Sequence, residues 1–435
     1  MVTGKKRNSG LIHRLALLLA ASLVSAGTWA ESYLIDAIEF RNNEKTKPST
    51  LLQEYEIKPG DTLSDEQIKA ARQAMMDLGL FKRVSADLED RGGPGKVLIF
   101  TIHEKRYLLV LPRLSRSGDG DWSYGARLRW DNVGGRNRRL DFGYRRKDLK
   151  NSDIQQEDRL EIEYTLPRLW GSRFNLEYVL RSEDIEIDEE RDGLEGRYEQ
   201  RLDSFRVILS RWLKEKGPSQ GWLLEGELRY EDYQNDFLSG DPGLFFDTEV
   251  ATVKLGAEFR EVHDHRYSRS GKHYGYEFQV SRNTSGGDVG FERHRVFYRG
   301  YIPVTKTPHT NFNFQVRYMS SSGSIFGDPS YSLGGNSTIR GYSRESLEGE
   351  SAFITNLEVV RPLFGHNTLR GALILDFGGA FEDSFDFDSS ELVTGLGIGL
   401  RYKMRSFVKT DLRLDVTHGI EDGETKVYGS TSSSF

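Results

Sequence analysis

From Tyr107 onward, polar and apolar residues alternate at period two in one stretch after another. Phe312, Phe314, Val316 and Tyr318 alternate with Asn311, Asn313, Gln315 and Arg317, and Tyr274, Tyr276, Phe278 and Val280 alternate with Gly275, Glu277 and Gln279. Successive side chains of a strand point to opposite faces, so this pattern predicts strands with one greasy and one polar face. Sixteen candidate strands can be marked off, and no convincing helical period interrupts them. A soluble sandwich would turn the greasy faces toward a second sheet, whereas a transmembrane barrel turns them toward lipid around a polar interior.

The connections separate the two. They alternate between short (Asn132 to Arg136, Pro167 to Ser172) and long (Lys147 to Glu157, and the acidic Glu183 to Tyr198), a rhythm that continues less regularly to the end. Short turns on one side and long loops on the other are the habit of bacterial outer-membrane barrels. The predicted class is therefore an all-β transmembrane barrel of sixteen antiparallel strands. Pro112 in the first strand cannot donate a ladder hydrogen bond, and Val427, Gly429, Thr431 and Ser433 give the last strand a weakly apolar outer face. The seam between these strands is expected to be the barrel's weakest.

Before Tyr107 the pattern is different. A strand is predicted from Tyr33 to Phe40, and a short helix follows, with Leu51, Leu52 and Tyr55 at helical spacing, broken by Pro59-Gly60-Asp61. A second helix starts at Ser64, where Ser64 and Gln67 form a capping box; Ile68, Ala71, Met75 and Leu78 line one face and Gly79 ends it. Strands from Leu80 to Leu88 and Val97 to His103 complete a small α+β unit of order β-α-α-β-β. The expected division is residues 1–30, 31–106 and 107–435.

Composition adds the compartment. Lys5, Lys6 and Arg7 precede an apolar run from Leu15 to Ala26 and a small-residue site at Thr28-Trp29-Ala30, the anatomy of a secretory signal peptide. That run is shorter than the roughly 20 residues a membrane-spanning helix needs. Cysteine is absent, which removes disulfides and thiol chemistry, and a balance of 60 basic against 66 acidic residues gives no sign of a nucleic-acid partner.

One interval breaks the rhythm. The loop 320–349 is long and rich in glycine and serine, and Leu333 to Tyr342 within it reads L-G-G-N-S-T-I-R-G-Y, with Arg340 as its charged residue. Loops of this length are usually functional or disordered. Downstream, parity turns Leu373, Leu375, Phe377 and Phe381 to lipid and Asp376 to the lumen. In the following strand Leu396, Ile398, Leu400 and Tyr402 face lipid, so Gly395, Gly397 and Gly399 leave a bare groove on the inner wall.

The residues 31–106 resemble a POTRA domain, the periplasmic module of the Omp85 superfamily, through Gly79-Leu80-Phe81-Lys82-Arg83-Val84 and the closing strand that ends in His103-Glu104-Lys105. The barrel resembles the same superfamily (the bacterial surface antigen D15 type) through Ile339-Arg340-Gly341-Tyr342 preceded by Gly334 and Gly335, Asp376 with Gly378 as its D-x-G motif, Asn132-Val133-Gly134-Gly135, and Asn356 to Leu363. The turn Asp264 to Gly271 is also similar but lacks the family's usual proline. The resemblance implies that the loop folds back into the barrel and that Arg340 pairs with Asp376, with Gly395, Gly397 and Gly399 beneath it. A C-terminal aromatic such as Phe435 is the usual ending of proteins delivered to the outer-membrane assembly machinery, which would be a partner for the chain's own insertion.

No enzyme is expected. There is no G-x-S-x-G elbow, and His263, Asp264, His265 and His273 suit no standard metal motif, so neither a metal nor a cofactor is assigned. The resemblance implies a protein of the bacterial outer membrane, its POTRA-like domain in the periplasm, that assists polypeptide insertion into or translocation across that membrane. Its expected partners are membrane lipid and an unfolded or extended polypeptide client that adds a strand to the POTRA-like sheet. Having one such domain sets the chain apart from assembly factors with several and two-partner exporters with two. A passive outer-membrane channel without a client is the alternative, and a soluble periplasmic sandwich a third.

Overall fold

The computed structural model describes residues 31–431 except 53–54, 56, 117–121, 149–153, 192, 214–219, 266, 286–289, 305–308, 325–330, 344–345, 383–390, 405 and 408–410. The signal-peptide reading of residues 1–30 and the assembly-signal reading of Phe435 fall outside the described residues.

The N-terminal unit runs β1 (Ser32–Arg41), α1 (Pro48–Leu52), β2 (Thr62–Ser64), α2 (Asp65–Asp77), β3 (Phe81–Asp90) and β4 (Lys96–Glu104). The three-residue β2, too short to carry a pattern, pairs antiparallel with β1 and is an addition to the order read from sequence. The four strands form one sheet in the order β2-β1-β4-β3, with β1 and β4 parallel. Ser64 caps α2 as expected: its side chain accepts from Gln67 N while Gln67 Oε1 accepts from Ser64 N. Ile68, Ala71 and Met75 bury one face of α2 against Ile35, Leu98, Phe100 and Ile102 of the sheet.

The remaining strands form one 16-stranded antiparallel sheet. They are β5 (Leu108–Arg116), β6 (Trp122–Val133), β7 (Arg138–Asp148), β8 (Ile154–Leu166), β9 (Phe174–Arg191), β10 (Leu194–Trp212), β11 (Gly221–Gly240), β12 (Thr248–Asp264), β13 (Arg269–Asn283), β14 (Gly290–Pro303) and β15 (Asn311–Ser322). After a small hairpin of β16 (Tyr331–Leu333) and β17 (Leu347–Gly349), the sheet resumes with β18 (Ser351–Leu363), β19 (His366–Phe381), β20 (Val393–Lys403), β21 (Asp411–Gly419) and β22 (Thr425–Thr431). Among the described residues no ladder joins β22 to β5, the strand that carries Pro112, although the two edges touch.

Register fixes which face is which. Leu228, Leu255, Leu373 and Ile398 are 64%, 57%, 62% and 63% exposed on the outer surface, while their neighbours in sequence, such as Glu227 and Lys254, turn inward. Exposed rows of large apolar side chains around a polar interior are a lipid-facing wall. No helix among the described residues is long and apolar enough to cross a membrane; the crossing is made by strands. Trp222 meets Phe259 edge to face at 5.6 Å, and Phe259, Tyr274, Tyr298 and Phe314 stack in turn from β12 to β15 at ring spacings of 5.3, 5.7 and 5.5 Å, an aromatic girdle near the short-turn end.

The acidic stretch expected as a loop from Glu183 to Tyr198 is instead the tip of a β9–β10 hairpin, paired through Leu194 and Arg191. Its inward residues Ile185, Ile187 and Tyr198 pack with Leu244 and Phe245, and Arg197 holds Asp188 at 2.7 Å. Apolar cover on one face and charge pairing on the other keep the strands together beyond the lipid band.

The POTRA-like unit docks on the short-turn end, which is therefore periplasmic. On one side Lys47 N and Thr50 Oγ1 donate to Gly135 O at 3.0 and 2.9 Å, and Asn132 Nδ2 donates to Thr46 Oγ1 at 2.8 Å. On the other, the Asp77 side chain, 4% exposed, accepts from Asp264 N at 3.1 Å and Gln220 Nε2 at 2.9 Å and lies 3.0 Å from His263 Nδ1.

Candidate functional site

The described part of loop 320–349 lies against the inner wall. Its base is the β16–β17 hairpin, and Leu333, Ile339 and Tyr342 bury themselves against Ala352 and Ile354 of β18. Thr338 Oγ1 both donates to Gly334 O and accepts from Gly334 N, each at 2.8 Å, which closes the tight turn that presents Ile339 and Arg340. Gly334, Gly335 and Gly341 hold φ of 122°, 81° and 109°, in the left-handed region where a side chain is strained. At Gly334 a Cβ would also sit 1.7 Å from Ser343 O.

Arg340 is 2% exposed. Its Nε and Nη2 donate to Asp376 at 2.6 and 2.8 Å, and its backbone N donates to the same carboxylate at 3.0 Å. Nη1 reaches Glu358 at 2.7 Å and Asp415 at 3.1 Å. A bidentate fork on one carboxylate with a third hydrogen bond from the main chain fixes the loop in both position and orientation.

The wall continues the network. Arg401 donates to Glu358 at 2.8 Å and to both oxygens of Asp415, and Arg413 donates to Asp415 at 3.0 Å. Arg340, Arg401 and Arg413 thus face Asp376, Glu358 and Asp415, three charges of each sign in a nearly dry site. Such a set is tolerable in low dielectric only because every charge has a partner.

The expected partners sort as follows. Asp376 meets Arg340, and Gly378, two residues along the same face, leaves room for Phe353 O, which a Cβ would approach to 2.1 Å. Gly395 lies beneath the loop, since a Cβ there would be 1.8 Å from Arg340 O. Gly397 and Gly399 make room for the wall itself: a Cβ would meet Thr417 at 2.3 Å in the first case and Asp415 at 2.2 Å in the second. Tyr342 donates to Thr394 O at 3.1 Å and hydrogen-bonds Glu421, and Tyr428 OH donates to Tyr342 O at 3.2 Å while accepting from Gly341 N at 3.1 Å.

Sequence reasoning singled out Asp376 but not Glu358, Asp415, Arg401 or Arg413. Each stands at a lumenal position flanked by outward apolar residues, as Glu358 does between Leu357 and Val359, so parity could have placed them on the inner wall. His265 Nε2 lies 2.8 Å from Ser270 Oγ, His273 Nε2 lies 2.8 Å from Glu258, and His263 belongs to the Asp77 contact.

Comparison with known proteins agrees with this architecture. The family profile of the Omp85 superfamily domain matches residues 112–404, and that of POTRA, described as a surface antigen variable number repeat, matches residues 33–105. The structure of BamA from Haemophilus ducreyi lacking POTRA domains 1–3 is similar over 91% of this chain and 84% of that one, at 15% identity and a TM-score of 0.53. CdiB from Escherichia coli is similar over 89% of this chain and 73% of that one, at 16% identity and a TM-score of 0.62. CdiB from Acinetobacter baumannii matches over 90% and 72%, at 12% identity and a TM-score of 0.61. At these identities the likeness shows the fold. No curated protein sequence matches the chain.

Proposed function

The chain belongs to the Omp85 superfamily, an outer-membrane barrel with its POTRA domain in the periplasm that assists polypeptide insertion or translocation, and we propose that it does so with loop 320–349 latched inside by Arg340 and Asp376. Residues 31–106 act as the periplasmic receiving unit and residues 107–435 as the barrel. The client is an extended polypeptide that adds a strand to the POTRA sheet.

The observation that carries the client reading is the edge strand β3. Among the described residues it pairs with β4 alone, and its outer edge presents an unpaired row of backbone donors and acceptors. Lys82, Arg83, Asp87 and Asp90 are exposed along it, charges that protect a free edge from self-association while leaving it open to a chosen strand. The barrel then receives the segment, through its lumen or at the unladdered β5–β22 seam, while the latch keeps the loop in place.

A photocrosslinking side chain at Asp87, compared with one at the exposed Lys69 on α2, tests this in living cells. Polypeptide adducts from Asp87 and none from Lys69 are expected. Adducts from neither position, in a barrel that conducts ions in planar bilayers, would replace the reading with that of a passive channel.

A further inference from the structure

The lumenal face of β14 and β15 carries a second cluster of arginines, separate from the three in the ion-pair network around Arg340. Arg295, Phe297 and Arg299 follow one another on the inward face of β14, and Arg317 of β15 stands opposite Phe297. Phe297 is 4% exposed, and the guanidinium carbons of Arg295 and Arg299 lie 5.2 and 5.4 Å from its ring centroid. Arg317 is diagonal to both, at the roughly 7–8 Å usual for such cross-strand neighbours. Two guanidiniums therefore bracket one aromatic floor, with Arg317 on the neighbouring strand opposite it.

Of the nearby carboxylates, one answers Arg295 and the others are held outside the cluster. Glu277 accepts from Arg295 at 3.2 Å, Glu258 from His273 at 2.8 Å, and Asp376 from Arg340 at 2.6 Å. Arg299 and Arg317 have no ion-pair partner among the described residues, and the Nε of each is buried without an acceptor. Arg317 reaches only neutral oxygens, Ser337 O at 2.9 Å and Asn356 Oδ1 at 3.1 Å. In the latch, by contrast, each of three arginines answers a carboxylate.

Like charges held this close repel one another, and a low-dielectric wall strengthens the repulsion. A multiply charged anion between them reverses its sign. The planar forks of arginine suit tetrahedral or planar oxyanions, which accept two hydrogen bonds per fork, better than a spherical halide. We propose that Arg295, Arg299 and Arg317 form a lumenal binding site for a polyvalent oxyanion of the phosphate class, seated over Phe297. Because Arg317 also donates to Ser337 of the inner loop, the bound anion ties that loop to the β14–β15 wall at a point separate from Asp376. The site stands on the lumen wall alone and does not depend on the polypeptide reading.

Calorimetric titration of the full chain in detergent with inorganic phosphate, at constant ionic strength set by chloride, tests the site. Saturable binding at one site per chain is expected, weakened about ten-fold or more by Arg299→Gln and by Arg317→Gln, the loss for one charge-assisted hydrogen-bonding partner. Glu277→Gln, which releases Arg295, should tighten it. Arg282→Gln, on an outward side chain paired with Glu292, should leave it unchanged. Heat-modifiable migration confirms that each variant is a folded barrel. No saturable binding, or equal affinity in Arg299→Gln, Arg317→Gln and Arg282→Gln, would mean an adventitious ion only and overturn the site.

Discussion

Arg340 and Asp376, 36 positions apart in the chain, share three hydrogen bonds, two from the guanidinium fork and one from the Arg340 backbone, in a site where neither side chain is more than 2% exposed. Removing one member of such a pair leaves a buried charge unanswered, at a typical cost of about 3–5 kcal/mol. Asp376→Ala should therefore lower barrel stability by that order, read as a lower temperature for the heat-modifiable shift. An unchanged temperature would show the pair to be loosely held.

Glu358 and Asp415 each accept from both Arg340 and Arg401, so the two arginines are coupled through shared carboxylates. In a double-mutant cycle, Arg340→Ala and Arg401→Ala should deviate from additivity by about 0.5–3 kcal/mol. Strict additivity in denaturant unfolding would mean that the two act independently.

Gly395 carries the loop's backbone at close range. Gly395→Ala would bring a Cβ to 1.8 Å from Arg340 O, while Gly143, with nothing within 4 Å of the same atom, should tolerate alanine. The first variant should lose about 1–3 kcal/mol and the second much less. Equal losses in the two variants would remove Gly395 from the loop's support.

How much of this was legible beforehand differs from one part to another. Arg340, Asp376 and Gly395 could be paired in advance because parity put the aspartate and glycine on the inner wall and a family resemblance supplied the loop. Glu358, Asp415, Arg401 and Arg413 are equally inward, but period two names a face and not a neighbour; which lumenal charges meet depends on stagger between strands. The same limit hid the arginines around Phe297. The β9–β10 tip was misread because Glu and Asp dominate it, and only the register reveals that Ile185 and Ile187 share a small core with Tyr198 and Leu244. The capping box at Ser64 and Gln67 is local and was readable directly.

The POTRA–barrel contact should depend on pH. Burial pushes the Asp77 carboxyl above the ordinary aspartate range, although hydrogen bonds with His263, Gln73 and Asp264 N oppose the shift. A raised value in the docked state means that docking takes up protons. The contribution is full below the undocked range and is lost as pH rises through the docked one. Spin labels on engineered cysteines in α2 and the β12–β13 turn, in a chain with 0 native cysteines, should report a distance distribution that broadens with rising pH. Asp77→Asn should flatten that response, and a pH-independent distribution in the unsubstituted chain would refute it.

The most direct test of the latch is Arg340→Ala in an otherwise intact chain. Polypeptide adducts at Asp87 and heat-modifiable migration, measured together in living cells, separate receiving a client from holding the barrel together; adding an accessibility assay for the transferred segment follows the client through the membrane. The account predicts a barrel that still reaches the outer membrane, with lowered stability, still captures polypeptide at β3, and fails to pass it on. Unchanged stability together with unchanged transfer would contradict it.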